Sequence, residues 1–249
     1  MASNIFIGTS GYSYPHWAKG VFYPREISSS KWLEYYSQFF NTVELNITFY
    51  RLPPAETFLK WYERTPENFI FTAKGSRLIT HVKKLRDCQE SLELFFAHLQ
   101  KLKEKIRVVL WQLPPNLTFN PERITSFCDS LKSFPLSRYI AHTFEFRHPS
   151  WFCPTVLETL KEHNYSLCIS HSNRWPYQEI ITANFIYLRF HGGESLYSTN
   201  YSEDELKYWA DKCKLWQEMG KNIYAYFNND ACGYAVKNAY QFRKLVNSS

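Results

Sequence analysis

Tyr139-Ile-Ala-His-Thr-Phe-Glu-Phe-Arg-His148 changes character at every second residue. Ile140, Phe144 and Phe146 are apolar, whereas Thr143, Glu145 and Arg147 turn polar and then charged. Side chains of a strand point alternately to opposite faces. One face of this segment is therefore made for an apolar cover, and the other carries a carboxylate and a guanidinium out at its C-terminal end. Three further segments repeat the design. Thr42-Val-Glu-Leu-Asn46 sets Glu44 and Asn46 against Val43 and Leu45, and Phe69-Ile-Phe-Thr-Ala-Lys74 sets Thr72 beside Lys74. Phe185-Ile-Tyr-Leu-Arg-Phe-His191 places Tyr187, Arg189 and His191 opposite Ile186, Leu188 and Phe190.

Strand-like runs occur near residues 4–9, 42–46, 69–74, 107–112, 139–146, 165–170, 185–191 and 222–228. Helix-period segments separate most of them, as in Ser30–Phe40 and Asp87–Leu102. Ser202-Glu-Asp-Glu205 has the form of a capping box for a helix running to Met219, which Gly220 then ends. Eight strands alternating with helices predict a single (β/α)8 TIM-like barrel over residues 1–249. Central strands of an open, doubly covered sheet would read as continuous apolar runs instead. Two connections look irregular: the long aromatic loop Gly11–Ile27 after strand 1, and the short polar link Ser170–Asn184 after strand 6.

Composition narrows the function. The 249 residues are 45% apolar and 18% aromatic, and the formal charge is +6. Such a mild basic balance suits an anionic ligand without demanding nucleic acid. The six cysteines show no C-x-x-C pairing or zinc spacing, so they read as reduced thiols, and neither a disulfide nor structural zinc is expected. No apolar run approaches the roughly 20 residues that cross a bilayer, and no leader-like stretch precedes the run from Asn4. The expectation is a cytoplasmic protein with no membrane partner.

A longer series of motifs is recognisable: Gly8-Thr-Ser-Gly-Tyr12, Trp17, Phe22-Tyr-Pro24, Thr42 through Arg51, Thr65-Pro66, Lys74, Ile79-Thr-His81, Gln112-Leu-Pro-Pro115, Glu145-Phe-Arg-His148 with Trp151, Arg189-Phe-His-Gly192 and Tyr226-Phe-Asn-Asn-Asp230. Nearly end to end, this resembles the YecE-like family, domain of unknown function 72. The resemblance implies a TIM-barrel fold and supplies no activity. Many relatives carry an acidic residue after the sixth strand, where this chain has Ser170 and His171; a metal site relying on that carboxylate is weakened.

In a barrel, catalytic groups belong at the C-terminal strand ends. Glu44, Glu145 and Lys74 are the candidate catalytic residues, the carboxylates for acid/base work and Lys74 for holding an anion or for forming a Schiff base. The opposing reading has both carboxylates salt-bridged to Lys74, Arg147 or Arg189. Ser10, Tyr12, Asn46, Gln112, Arg147, His148, Arg189, His191, Asn228 and Asn229 are candidate substrate contacts. Arg189 offers the fork that suits phosphate or carboxylate. Glu145, near Lys74 and Arg189, should be ionised at neutral pH. His81 is either a lid residue or a surface histidine, and Tyr12, Tyr14 and Trp17 form either an aromatic wall or a packed loop. Gly8-Thr-Ser-Gly11 fits neither phosphate-loop spacing.

His148, His191, Glu44, Glu145 and Asp230 contain atoms that hold divalent zinc or manganese. No H-x-H or H-E-x-x-H spacing occurs, and Lys74, Arg147 and Arg189 would repel a cation, so no metal or other cofactor is expected. The leading function is a hydrolase- or lyase-like enzyme acting on a small phosphate-, carboxylate- or sugar-containing ligand. The alternatives are a nucleic-acid-directed barrel resembling apurinic-site endonucleases, and a non-catalytic binder of a small anion or a partner protein.

Overall fold

The computed structural model describes residues 4–193 and 196–248. The alternating segments form parallel strands β1 (Ile5–Thr9), β2 (Thr42–Leu45), β3 (Ile70–Lys74), β4 (Ile106–Gln112), β5 (Ala141–Glu145), β6 (Ser166–Leu167), β7 (Ile169–His171), β8 (Phe185–Phe190) and β9 (Asn222–Phe227). Parallel neighbours need crossover connections. Helices supply most of them: α1 (Trp32–Phe39), α2 (Ile47–Tyr50) with α3 (Ala55–Glu63), α4 (Gln89–Leu99), α5 (Pro121–Lys132), α6 (Pro154–Glu162) and α7 (Glu203–Glu218), with α8 (Tyr234–Asn247) following β9. The polar link between β7 and β8 contains no helix. Helix α7 begins with the expected capping box: Ser202 Oγ accepts the Glu205 N–H, and the Glu205 carboxylate accepts the Ser202 N–H. Gly220, at φ 78°, supplies the left-handed residue just past its end.

The strands differ from the eight-stranded expectation. Among the described residues they form two sheets, β1-β9-β8-β7 and β2-β3-β4-β5-β6. The reason lies at two seams. The sixth run changes partner midway: Ser166 and Leu167 pair with Thr143 and Phe144 of β5, whereas Ile169 to His171 pair with β8. Between them Cys168 donates its N–H to the Phe144 carbonyl at 2.8 Å.

The second seam lies between β1 and β2, which share one isolated bridge, Ser10 with Glu44. Here the Tyr36 hydroxyl takes the place of ladder bonds: it accepts the Thr9 N–H at 3.0 Å and donates to the Thr42 carbonyl at 3.0 Å. The strands still run close. A Cβ on Gly8 would stand 2.2 Å from the Thr42 carbonyl oxygen, so only glycine fits there. Tyr36→Phe should leave a buried N–H and a buried C=O short of a partner. Urea unfolding is expected to show a loss of about 1–3 kcal/mol; a change well below that range would show that the seam does not depend on the phenol.

Two apolar clusters hold the sheets. The larger lies under the helices and contains the outward set Val43, Leu45, Phe71, Trp111, Phe144, Phe146, Ile186, Leu188 and Phe190. Phe146 stacks on Trp151 with ring centroids 4.9 Å apart. Burying such a side chain contributes about 1.5–3 kcal/mol, which fixes the rotation of β5 and hence the direction of Glu145. The smaller cluster joins the inner faces of the two sheets through Ile70, Val108, Leu110, Tyr187 and Tyr226. Above it the same inner parity turns polar.

The long loop after β1 is packed. Trp17 is fully buried, and Tyr23 stacks on Trp32 at 4.6 Å. All six cysteines are free, and among the described residues no helix is long and apolar enough to cross a membrane.

Candidate active site

Arg189, projecting inward from β8, is completely buried. Its guanidinium grips Glu44 of β2 with two bonds, Nε to Oε2 at 3.0 Å and Nη2 to Oε1 at 2.7 Å. It also donates from Nη1 to Glu145 Oε2 of β5 at 2.5 Å. Tyr187 donates its hydroxyl to Glu44 Oε2 at 2.7 Å, and Arg147 Nε donates to Glu145 Oε1 at 2.8 Å. Every carboxylate oxygen is thus engaged by a cation or a phenol. Burial alone would raise both carboxyl groups. The charge and hydrogen bonds of Arg189 outweigh it for Glu44, and Arg189 with Arg147 hold Glu145 well below the usual range.

His191 lies behind this pair. Its Nε2 is 3.2 Å from Arg189 Nη1. Arginine has no acceptor, so Nε2 accepts and the ring proton resides on Nδ1. Asn228 Nδ2 lies 3.0 Å from Nδ1, and exchanging the oxygen and nitrogen of that amide, which are alike in size, gives the proton its acceptor. Burial, then the neighbouring Arg189 charge, lower the His191 pKa to about 4, so the ring is neutral.

Lys74 ends β3 and is only 7% exposed. Among the described residues its Nζ makes no ion pair or hydrogen bond, and it rests 4.2 Å over the Phe49 ring. The carboxylates that would neutralise it are held by the arginines. Burial, helped by the like charges of Arg189 and Arg147, overcomes the attraction of Glu145 and Glu44 and lowers its pKa to about 7.

Lys74 opens onto a cleft of about 530 Å³. Arg77 and Arg147 add positive charge, Asn46, Gln112 and Asn228 add amides, and Tyr14, Phe49, Tyr50 and Tyr197 form aromatic walls. His81 faces the same space. Burial, then Lys74, Arg147 and Arg77, lower its pKa to about 4, and its Nε2 stands 3.5 Å from the Gln112 amide. Asp230, at the rim, is raised to about 6 by burial, against the pull of His16 and a 2.6 Å bond from Trp17 Nε1. Among the described residues no group of three or more His, Cys, Asp or Glu side chains is arranged to share a metal ion.

Of the residues named from the sequence, Asn46, Lys74, Gln112, Arg147 and Asn228 line the cleft. Glu44, Glu145, Arg189 and His191 form the buried layer behind it. Four lie elsewhere. His148 caps the turn Pro149–Trp151, with Nδ1 accepting the Ser150 N–H. Asn229 is turned toward α8, donating to Asn238 Oδ1 and the Thr199 carbonyl. Tyr12 faces an adjoining aromatic hollow with Trp61. Ser10 is buried with its hydroxyl unpaired, and its carbonyl accepts from Tyr14 and Asn46. Glu145 is paired directly with Arg189 and Arg147, and Lys74, near enough to feel its charge, makes no ion pair with it. Arg77 and Tyr197, which the sequence did not single out, enter from segments that no strand or helix period marks, and Tyr50, inside the quoted Thr42–Arg51 stretch but not named as a contact, enters from the short helix α2.

Parallel sheets crossed by helices, with a polar layer at the strand ends, define an α/β protein. Residues 6–249 match the profile of the family described as "Protein of unknown function DUF72", and the chain belongs to that family. It is 27% identical to the UPF0759 protein YunF of Bacillus subtilis, over 97% of this chain and 94% of that protein. Identity to the UPF0759 protein YecE of Escherichia coli K12 is 34%, over 59% of this chain and half of that one. A crystal structure of a DUF72 family protein from Thermotoga maritima superposes with a TM-score of 0.85 at 32% identity, covering 98% of this chain and all of the other. At the level of fold alone, SacUVDE (TM-score 0.60, 8% identity) and PbGH5A, a glycoside hydrolase family 5 enzyme from Prevotella bryantii (TM-score 0.54, 10% identity), are similar over 98% and 99% of this chain and 98% and 97% of theirs.

Proposed function

We propose that the two sheets are halves of one (β/α)8 barrel, with β6 and β7 as its sixth strand, and that the cleft is the active site of an enzyme acting on an anionic substrate by proton transfer. The observation that carries this reading is Lys74: a buried, unpaired amine on the wall of a cleft that also presents Arg77 and Arg147. A general base works best with a pKa near the operating pH. Glu145 and Glu44, held low by the arginines, are poor bases at neutral pH and act as positioning residues. Arg147 and Arg77 hold the phosphate or carboxylate of the substrate, Asn46, Gln112 and Asn228 contact its hydroxyl or carbonyl groups, and neutral Lys74 takes the proton. The reaction class remains hydrolase- or lyase-like.

The test is calorimetric titration with sulfate and inorganic phosphate. Sulfate keeps its charge across the range, so its affinity should weaken as pH rises through about 7 and Lys74 loses its proton. Arg147→Met should weaken binding of both anions by about tenfold or more, as expected for a lost charge-assisted pair. Anion affinity unchanged by that substitution would overturn the reading. Affinity for duplex DNA that falls steeply with salt would favour the nucleic-acid alternative.

A further inference from the structure

We propose, resting on the anion-binding reading of the same cleft, that the neutral Lys74 amine acts there as a nucleophile in place of a base, forming an imine with its substrate, and that the substrate class is an aldehyde or ketone bearing a phosphate or carboxylate group. Three features of the geometry lead there. Nζ has no hydrogen-bond or ion-pair partner among the described residues, so its lone pair is not engaged once the proton is lost. The Phe49 ring beneath it keeps water from one side, and desolvation beside other cations is how a lysine becomes a nucleophile. Arg77 and Arg147 stand on the same cleft, so an anionic group anchored on them brings a carbonyl a few atoms away toward Nζ.

The step balances without any further reagent. The Nζ lone pair forms a C–N bond to the carbonyl carbon while the C=O π pair moves to oxygen, which takes up a proton as nitrogen gives one up. The carbinolamine hydroxyl is then protonated and leaves as water while the nitrogen lone pair closes the C=N bond. One water is released per imine formed, and hydrolysis reverses the sequence. The protonated imine draws electrons from the adjacent carbon, which suits a lyase and gives no advantage to a simple ester hydrolase.

The full chain, incubated with pyridoxal 5′-phosphate and separately with the smaller glyoxylate, is reduced with borohydride and mapped by peptide mass. At pH 7 an exposed lysine is neutral in fewer than about one molecule in a thousand, so adducts should concentrate on Lys74 by about tenfold or more over other lysines. Inorganic phosphate should suppress the Lys74 adduct, and Lys74→Arg should abolish it. Phosphate binding with no trapped Lys74 under either probe defeats the imine and leaves the anion-binding enzyme standing. Absence of both phosphate binding and the adduct defeats the two readings together.

Discussion

Arg189→Met is expected to lower the stability of the folded protein by about 3–5 kcal/mol, the usual consequence of removing one partner from a buried ion pair. For a chain of this size each kcal/mol moves the melting temperature by about 2–4 °C, so a fall of roughly 6–20 °C should appear in a thermal scan at pH 7. The cause is not lost volume, since methionine fills much of the same space. Glu44 and Glu145 are both fully buried; without the Arg189 guanidinium Glu44 must remain an uncompensated charge or take up a proton, and Glu145 keeps only Arg147. That makes the deficit depend on pH. In the native protein both carboxyl groups lie below their ordinary values. Their pairing therefore stabilises above the unfolded carboxyl pKa, about 4.3, and the contribution is lost as pH falls through the depressed folded values. In the variant burial raises Glu44, so it stabilises only below the unfolded value and destabilises as pH rises through the new one. The gap between the two proteins should be widest near neutrality and close toward pH 4. A melting temperature within about 3 °C of the native one at pH 7 would mean that the three side chains are not coupled.

The same pair shows what was legible in the sequence. Period-two alternation is a local signal, and it placed Glu44, Lys74, Glu145 and Arg189 on the inner parity that the structure confirms. Which of them meet is not local. Arg189 reaches Glu44 across 145 positions and Glu145 across 44, and that choice depends on the stagger of β2, β5 and β8. The sequence left open whether the carboxylates served catalysis or held one another's cations. Rotation is lost first beyond strand ends, where alternation stops. His148 and Asn229 follow their strands by a few residues, and each turned to satisfy a nearby backbone or amide group. The division of the sixth run at Cys168 was equally hidden, because a change of pairing partner leaves the residue pattern unaltered. Arg77 and His81 lie on an irregular helical turn after β3, and the quoted Ile79-Thr-His81 was the one signal pointing there.

Lys74→Met is expected to make the protein more stable at pH 7 while removing its chemistry. A lysine in the unfolded chain has a pKa near 10.4, whereas burial and the flanking arginines bring Lys74 to about 7. Between those values the unfolded state binds the extra proton, so native stability rises with pH from about 7 toward 10 and carries its full penalty below 7. Methionine has no proton to bind, fills the space over Phe49 and removes the penalty, a gain on the order of a few kcal/mol and several degrees in melting temperature. The groups facing Nζ do not cancel this trend. Glu44, Glu145, Arg147 and Arg189 remain charged, and His81 neutral, across that range. Lys74→Arg separates charge from shape, because an arginine cannot shed its proton there. It should be less stable than the native protein at pH 9, opposite in sign to methionine. Thermal scans of the three proteins at pH 6, 7.5 and 9 provide the measurement. Should the methionine variant melt below the native protein at every pH, Lys74 would be a structural cation with a partner, and neither the base nor the nucleophile assigned to it would stand. Gain of stability with loss of function is the pattern of a group that the fold tolerates for the sake of the site.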